Sequence, residues 1–133
     1  MRLVICGSMQ FGKEMIDLKE RLETLGHTVA LPGDTERYAT GEKSHEGKWE
    51  KVEGDVIRTH YNKIVEADAV LVVNFTKNGV DNYIGGNGLI EMAFAHVLAK
   101  KIFLLYPVPK MSYADEIASM KPVVLDGDLS LII

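Results

Sequence analysis

Apolar residues in this chain alternate between short continuous runs and longer stretches with helical spacing. The runs have the length of strands. The run at 69–74 is continuous and largely β-branched, which is typical of a parallel strand that is covered on both faces. In chain order, the predicted strands are Arg2–Cys6, His27–Leu31, Ala69–Asn74, Ile102–Leu105 and Val123–Leu125.

The stretches between these runs carry apolar residues every three or four positions, as amphipathic helices do. Gly26 follows the first stretch at the position of a helix C-cap. Ser112 and Asp115 have the spacing of a capping box and predict the start of a short helix. Residues 34–48 are polar and lack an apolar period, so we expect a long loop there that closes over the site as a lid. The other predicted helices cover residues 11–25, 52–67 and 88–99, and a short terminal element lies at 129–133.

Strands that alternate with helices predict an open parallel α/β sheet with right-handed crossovers. The length of 133 residues suits one domain. We therefore expect a single doubly wound (flavodoxin/Rossmann-like) α/β domain over residues 1–133. Its sheet is expected to be mostly parallel, with about five strands flanked by helices.

Composition narrows the class of protein further. With 47% hydrophobic and 26% charged residues, the chain has the balance of a globular domain rather than of a disordered or coiled-coil protein. Its apolar runs are too short for a membrane span, and no secretion signal is recognisable at Met1. A formal net charge of −4 argues against nucleic acid as a partner. The single Cys6 cannot form an internal disulfide, which favours a cytoplasmic location.

In doubly wound sheets, ligands bind beyond the carboxyl ends of the strands, near the point where the strand order reverses. This rule selects the loop after the first strand and the loop after the third. Both lead into helix N-termini, whose free N–H groups favour an anion, although a Gly-rich segment is also compatible with a merely flexible turn. The expected substrate-binding residues are Gly7, Ser8, Met9, Gln10, Asn74, Gly85, Gly86, Asn87 and Gly88.

Glu91 is the only formally charged residue between Tyr83 and Ala99. The surrounding helix is apolar all round, so we expect it to be buried. A carboxylate in such a helix either points at a site or carries a desolvation cost of several kcal/mol. The structural alternative is that Glu91 caps its own helix or pairs with a lysine.

Several other motifs are incomplete. Residues 7–13 match the first seven positions of the phosphate-binding G-x-x-x-x-G-K-[ST] loop, but Glu14 replaces the hydroxyl residue that holds Mg²⁺. The third strand ends in Asn74 rather than in the Asp that supports such a metal. The four histidines show no metal-ligand spacing and there is no cysteine pair, so we expect no metal site and no cofactor. The acidic cluster of a receiver domain and the G-x-G-x-x-G of a dinucleotide site are also missing.

Taken together, these features resemble the nucleoside 2-deoxyribosyltransferase superfamily, and most of all its 2′-deoxynucleoside 5′-phosphate N-glycosidase branch. The similarity covers nearly the whole chain. It lies in Ile5–Met9, in Ala67–Val73, in the Gly-rich turn followed by Ile90–Ala95, and in Lys101–Leu104.

This resemblance implies that Gly7, Ser8 and Met9 contact the sugar and the 5′-phosphate. It implies that Glu91 attacks the anomeric carbon or stabilises an oxocarbenium ion. It also implies that Ser119 reaches the phosphate in a neighbouring subunit, and hence a homodimer or a higher homo-oligomer.

The chain departs from the family pattern at three places. Gln10 stands where the glycosidases carry an Arg. The segment Gly85–Glu91 lacks the Asp and the Thr of the usual Asp-x-Gly-Thr-x-x-Glu motif. His60 stands where the family has a helper Asp, so His60 or Tyr83 becomes the expected catalytic acid, His60 having an ordinary pKa near neutrality. Asp68 is expected at a helix-to-strand corner in a structural role.

Three hypotheses follow for the function. The first is an enzyme that cleaves or transfers the N-glycosidic bond of a nucleoside or 5′-monophosphate, with Glu91, His60 and Tyr83 as catalytic residues. The second is a nucleotide-binding or sensor module that lacks turnover, which the missing Arg, Asp and Thr favour. The third is a structural subunit without a ligand, which leaves Gly85–Gly88 and Glu91 unexplained.

Overall fold

The computed structural model of the chain describes residues 1–42, 52 and 54–133, and its elements follow the predicted alternation. All five strands pair in parallel in the order β2-β1-β3-β4-β5, which confirms the prediction of a doubly wound α/β fold. The register sets Cys6 beside Val72, and Val72 beside Leu104. The strands are β1 (Arg2–Cys6), β2 (Thr28–Ala30), β3 (Ala69–Val72), β4 (Lys101–Leu104) and β5 (Val123–Val124).

Helices connect these strands, and two short 3₁₀ turns lie at Met9–Phe11 and Leu129–Leu131. The helix that carries Glu91 begins at Gly86, two residues earlier than predicted. Within the described residues, no helix has the length and apolar character that a membrane crossing needs. The helices are α1 (Gly12–Thr24), α2 (Thr35–Ala39), α3 (Val56–Glu66), α4 (Gly86–Val97) and α5 (Ala114–Ser119).

Two apolar cores lie on the two faces of the sheet. Side chains of a strand point alternately to opposite faces, so Leu3 and Ile5 join one core while Val4 and Cys6 join the other. Helix α1 covers the first core through residues such as Met15. Helices α3, α4 and α5 cover the second. The continuous apolar run of β3 is buried on both faces, as its β-branched pattern predicts.

Strand order reverses at the junction of β1 and β3. Helix α1 leads from β1 to β2 at one side, whereas α3 returns the chain across the sheet to β3 on the other side. The loops after β1 and β3 therefore diverge and leave a crevice between them at the carboxyl edge of the sheet. Asp68 lies at the corner before β3, where it accepts a hydrogen bond of 2.8 Å from the Arg2 N–H, in line with the predicted structural role.

Three local predictions differ from the structure. The predicted loop at 34–48 contains α2, and residues 43–48 of it lie outside the described part of the chain. The predicted capping box does not form, because Tyr113 occupies the N-cap of α5 and the Ala114 N–H is already bonded to the Met111 carbonyl. Helix α4 is less buried than its composition predicts, since Val97 is 82% exposed on its outer face.

Candidate active site

A cavity of about 560 Å³ opens at the carboxyl edge of the sheet, in the crevice between β1 and β3. This volume falls within the range that small-molecule sites occupy. Four segments form its wall: the loop after β1, the segment after β2, the inner face of α3, and the stretch that runs from β3 into α4. The lining residues are Gly7–Phe11, Pro32, Gly33, Tyr38, Val56, His60, Val72, Val73, Lys77, Tyr83–Gly88 and Glu91.

Gly7 allows the first loop to leave β1 close against β3. A Cβ atom at this position would lie 2.3 Å from Val73 Cγ2 and 3.2 Å from Met15 Sδ. Val73 is a buried β-branched side chain with little freedom to move aside. The close approach brings Ser8 to the cavity wall, and it explains why a glycine directly follows β1.

Glu91 lies on the second turn of α4 and directs its carboxyl group into the cavity wall, with its side chain only 16% exposed. Burial raises the pKa of Glu91 from 4.5 to about 7, and a hydrogen bond from Cys6 opposes this rise only in part. The carboxyl group is therefore partly ionised at neutral pH. Among the described residues, its neighbours are Cys6 and His60, and they place it neither in a helix cap nor in a lysine pair, which were the structural alternatives.

His60 and Cys6 lie behind the Glu91 carboxyl group. His60 Nε2 lies 3.6 Å from Glu91 Oε2 and 3.4 Å from Cys6 Sγ. Burial, with the charge of Lys63 as a smaller effect, lowers the pKa of His60 to about 4, which overturns the expectation of a value near neutrality. Burial also raises the pKa of the Cys6 thiol well above its ordinary value. Because burial opposes every charged form here, the contact between His60 and Glu91 joins two neutral groups between about pH 4 and pH 7.

Lys77 supplies a positive charge to the lining of the cavity. It begins a tight turn in which Asn78 and Gly79 both have positive φ, at 53° and 72°. Asn-Gly at these two positions is the sequence that such a turn favours. Backbone hydrogen bonds in both directions between Lys77 and Val80 close the turn. The Lys77 Nζ donates to Ser8 Oγ at 2.9 Å and lies 5.8 Å from the centre of the Tyr83 ring.

The N-terminus of α4 also opens on the cavity. Gly85 is the N-cap residue, and it has no side chain with which to cap the helix. The residues from Gly85 to Gly88 all line the cavity. Their amide groups and the positive end of the helix dipole favour an anion, and Lys77 and Ser8 lie on the same cavity wall.

The structure brings most of the predicted site residues to this one cavity. Asn74 is instead buried beneath it, where its side chain donates to the Tyr106 and Pro107 carbonyls and accepts from the Tyr106 N–H. Ser119 lies exposed at the end of α5 and donates to the Glu116 carbonyl, away from the cavity lining. The predicted residues that line the cavity are Gly7, Ser8, Met9, Gln10, His60, Tyr83, Gly85, Gly86, Asn87, Gly88 and Glu91.

Sequence reasoning did not assign Lys77 or Cys6 to this site, although both bear on its chemistry. Lys77 is the only cationic residue between β3 and α4, and the Asn-Gly that follows it is a recognisable turn signal. Cys6 looked like an ordinary core residue of β1. Its proximity to His60 depends on how α3 packs on the sheet, and no local spacing in the chain encodes that distance.

Two comparisons with known proteins do not assign this chain to a family. No protein-family model matches this chain, and a search of the curated proteins found no match. The resemblance to the deoxyribosyltransferase superfamily therefore stays a prediction, and the function has to be argued from the cavity itself.

Proposed function

We propose that this protein cleaves or transfers the N-glycosidic bond of a nucleoside or deoxynucleoside, or of its 5′-monophosphate, with Glu91 as nucleophile or oxocarbenium stabiliser. One observation carries the proposal. Among the described residues that line the cavity, Glu91 carries the only carboxyl group and Lys77 carries the only ammonium group. A sugar phosphate offers the matching pair: an electrophilic anomeric carbon and an anion.

The chemistry needs a carboxylate at the anomeric carbon. Breaking the C1′–N bond leaves an oxocarbenium-like sugar, and the electron pair departs with the base. Ionised Glu91 traps or stabilises that sugar, and water or a second base then takes its place. With a pKa of about 7, a substantial fraction of Glu91 is ionised at neutral pH.

The departing base also needs a proton. His60 is a poor source, because its pKa of about 4 leaves the imidazolium form scarce at neutral pH. Its contact with Glu91 instead suits a positioning role. Tyr83 lines the cavity and carries a hydroxyl proton, so we assign the donor role to Tyr83.

Lys77 supports a phosphorylated substrate. The family pattern has an Arg at the position of Gln10, and Lys77 restores a positive charge beside Ser8 from a different loop. A charge-assisted hydrogen bond to phosphate contributes about 1.5–3 kcal/mol. We therefore expect 5′-monophosphates to be preferred over free nucleosides.

The direct test is base release. The purified protein is incubated with ribo- and deoxynucleosides and their 5′-monophosphates in buffer with a chelator, with and without an acceptor base, and the products are separated by chromatography. Release by the native chain and its loss in Glu91→Gln support the proposal. Glu116→Gln, an exposed carboxylate on α5, is the matched control and should retain activity.

A nucleotide-binding module is the second candidate, and one observation favours it. The carboxyl group of Glu91 already contacts Cys6 and His60, so it has partners in the protein without a substrate. Under this hypothesis no substrate of the panel releases base, whereas a 5′-monophosphate still raises the melting temperature of the native protein. Release of base by the native chain rules this candidate out.

A further inference from the structure

Three side chains from three different elements meet at the inner wall of the cavity. Cys6 comes from the end of β1, His60 from α3 and Glu91 from α4. Their Sγ, imidazole nitrogen and carboxylate oxygen all lie within 4.8 Å of one another. We propose that this trio, the Cys-His-Glu cluster, binds a divalent transition-metal ion of the zinc class, with a fourth coordination position open to the cavity.

The distances between the donor atoms fit a tetrahedral ion. Zinc lies about 2.3 Å from sulfur and about 2.0–2.2 Å from nitrogen or oxygen, which sets donor atoms about 3.3–3.6 Å apart in a tetrahedral site. Cys6 Sγ and His60 Nε2 are 3.4 Å apart, and His60 Nε2 and Glu91 Oε2 are 3.6 Å apart. Two of the three edges therefore already have the required length, before any side chain moves.

The donor set selects the class of metal. A thiolate and an imidazole are soft or borderline ligands, which disfavours Mg²⁺ and Ca²⁺ and favours Zn²⁺ and similar ions. Three protein ligands with one open position is the arrangement of catalytic rather than structural zinc sites. His60 and Glu91 line the cavity while Cys6 lies fully buried behind them, so a water molecule or a small ligand reaches the fourth position from the cavity side.

Metal binding exchanges protons for the ion in a balanced way. The Cys6 thiol and any protonated Glu91 release their protons to solvent, and the thiolate, carboxylate and neutral His60 then coordinate the ion. No oxidant or reductant is required. Nε2, the imidazole nitrogen that would coordinate the ion, already faces the other two donor atoms.

The metal proposal does not rest on the proposed glycosidic chemistry, although both use Glu91. A coordinated carboxylate cannot attack an anomeric carbon, so we expect Zn²⁺ at one equivalent to suppress base release by the native chain. Binding itself is measured without any nucleoside. Failure of metal binding and failure of base release are therefore separate results.

The test is a titration of the chelator-treated, full-length protein with Co²⁺, followed by displacement with Zn²⁺. Cobalt bound to a thiolate shows a sulfur-to-metal absorption band in the near ultraviolet. Because the chain has a single cysteine, that band by itself identifies Cys6 as a ligand. We expect one equivalent of Co²⁺ to give the band and Zn²⁺ to abolish it.

Variants then test the remaining ligands. Cys6→Ser should remove the band, and His60→Gln should weaken affinity by at least about 10-fold, the lower end of the effect that even supporting residues of metal sites have. The matched controls are His96→Gln, an exposed histidine on α4, and His27→Gln, whose Nδ1 lies 3.1 Å from the Met1 amino group. Both controls should bind as the native chain does.

Two results overturn the inference. One is a native chain that shows no thiolate band and no heat of binding at micromolar Zn²⁺. The other is binding that persists in Cys6→Ser but is lost in His27→Gln, which would place the ion at the amino terminus. Circular dichroism of each variant shows whether it folds. If Cys6→Ser does not fold, the cobalt absorption spectrum of the native chain still decides whether Cys6 binds the metal.

Discussion

Replacing Glu91 by Gln should stabilise the metal-free protein at pH 8 and change its stability little at pH 4. The carboxyl group is buried beside Cys6 and His60, where the charged form is disfavoured. Gln has nearly the shape of protonated Glu and keeps polar atoms for the same neighbours. The substitution therefore removes the cost of burying a charge while retaining most of the packing.

The size of the effect follows from the pKa of Glu91, which rises from 4.5 to about 7 on folding. Each pKa unit corresponds to 1.36 kcal/mol, so the full effect is about 3 kcal/mol. Below pH 4.5 the carboxyl group is protonated in both states and no cost arises. Between pH 4.5 and 7 the unfolded chain loses the proton first, so stability falls as pH rises. Above pH 7 the cost is constant.

Urea denaturation followed by circular dichroism measures this directly. The native chain and Glu91→Gln are compared at several pH values from 4 to 8, in buffer with a chelator to keep the Cys-His-Glu cluster free of metal. Glu116→Gln, exposed on α5, is the control for loss of a carboxylate and should follow the native chain at every pH.

The difference between Glu91→Gln and the native chain should grow from near zero at pH 4 to about 3 kcal/mol at pH 8. A difference that is constant across this range would show that Glu91 titrates normally. A Gln variant that is less stable at pH 8 would show that the ionised carboxylate is stabilised by the fold. Either result would refute the electrostatic argument.

Three further predictions concern the same region. His60→Gln should gain up to about 3 kcal/mol of stability relative to the native chain at pH 4 and nothing above pH 7, because the lowered pKa of His60 costs stability only below pH 6.5. Urea denaturation in the same buffers checks this prediction, and a pH-independent difference contradicts it. In steady-state assays, Lys77→Met should raise KM for a 5′-monophosphate at least about 10-fold and leave KM for free nucleosides unaffected, whereas Lys13→Met, an exposed residue on α1, should change neither value. Equal effects on both substrate types would contradict a phosphate contact. Gly7→Ala should destabilise the protein by about 1–3 kcal/mol in urea denaturation, because its Cβ would lie 2.3 Å from Val73 Cγ2. Gly86→Ala has open space around the new Cβ and should be nearly neutral. Equal stabilities of the two variants would refute the close-packing argument.

Much of the fold was predictable because its signals are local. The continuous apolar run of β3 predicts a strand that is covered on both faces, and all residues of Ala69–Val72 are buried in the structure. Glycine-containing turn sequences predict the loops after β1 and β3, and the rule for doubly wound sheets predicts a ligand site at these loops. Glu91 stands out because charge is otherwise missing around it.

The predictions that were wrong depend on competition between local options. Helix α2 forms within a polar segment that has no apolar period, and packing beside α1 supplies what the local pattern lacks. The Ser112 capping box loses to a backbone turn between Met111 and Ala114. The apolar composition of α4 predicts a fully buried helix, yet Val97 faces solvent. Composition alone does not say which face of a helix packs on the sheet.

The metal-like geometry of the Cys-His-Glu cluster was beyond sequence reasoning for a different reason. Cys6 and His60 lie 54 positions apart, and their contact depends on how α3 packs on the sheet. Metal sites are recognised in sequences by short ligand spacings, and this trio has none.

Under the proposed function, the short turn that carries Lys77 has a consequence for how substrate preference can evolve. Glu91 stands in a helix that packs on the sheet, so substitutions around it disturb the core as well as the chemistry. Lys77 stands instead on a four-residue turn that closes on itself and exposes Asn78 and Gly79 at its tip. Such turns tolerate insertions and exchanges. Under the proposed function, charge selectivity is thus separable from bond cleavage, and we expect grafting of other turns at 77–80 to be the direct route to a variant that prefers uncharged nucleosides.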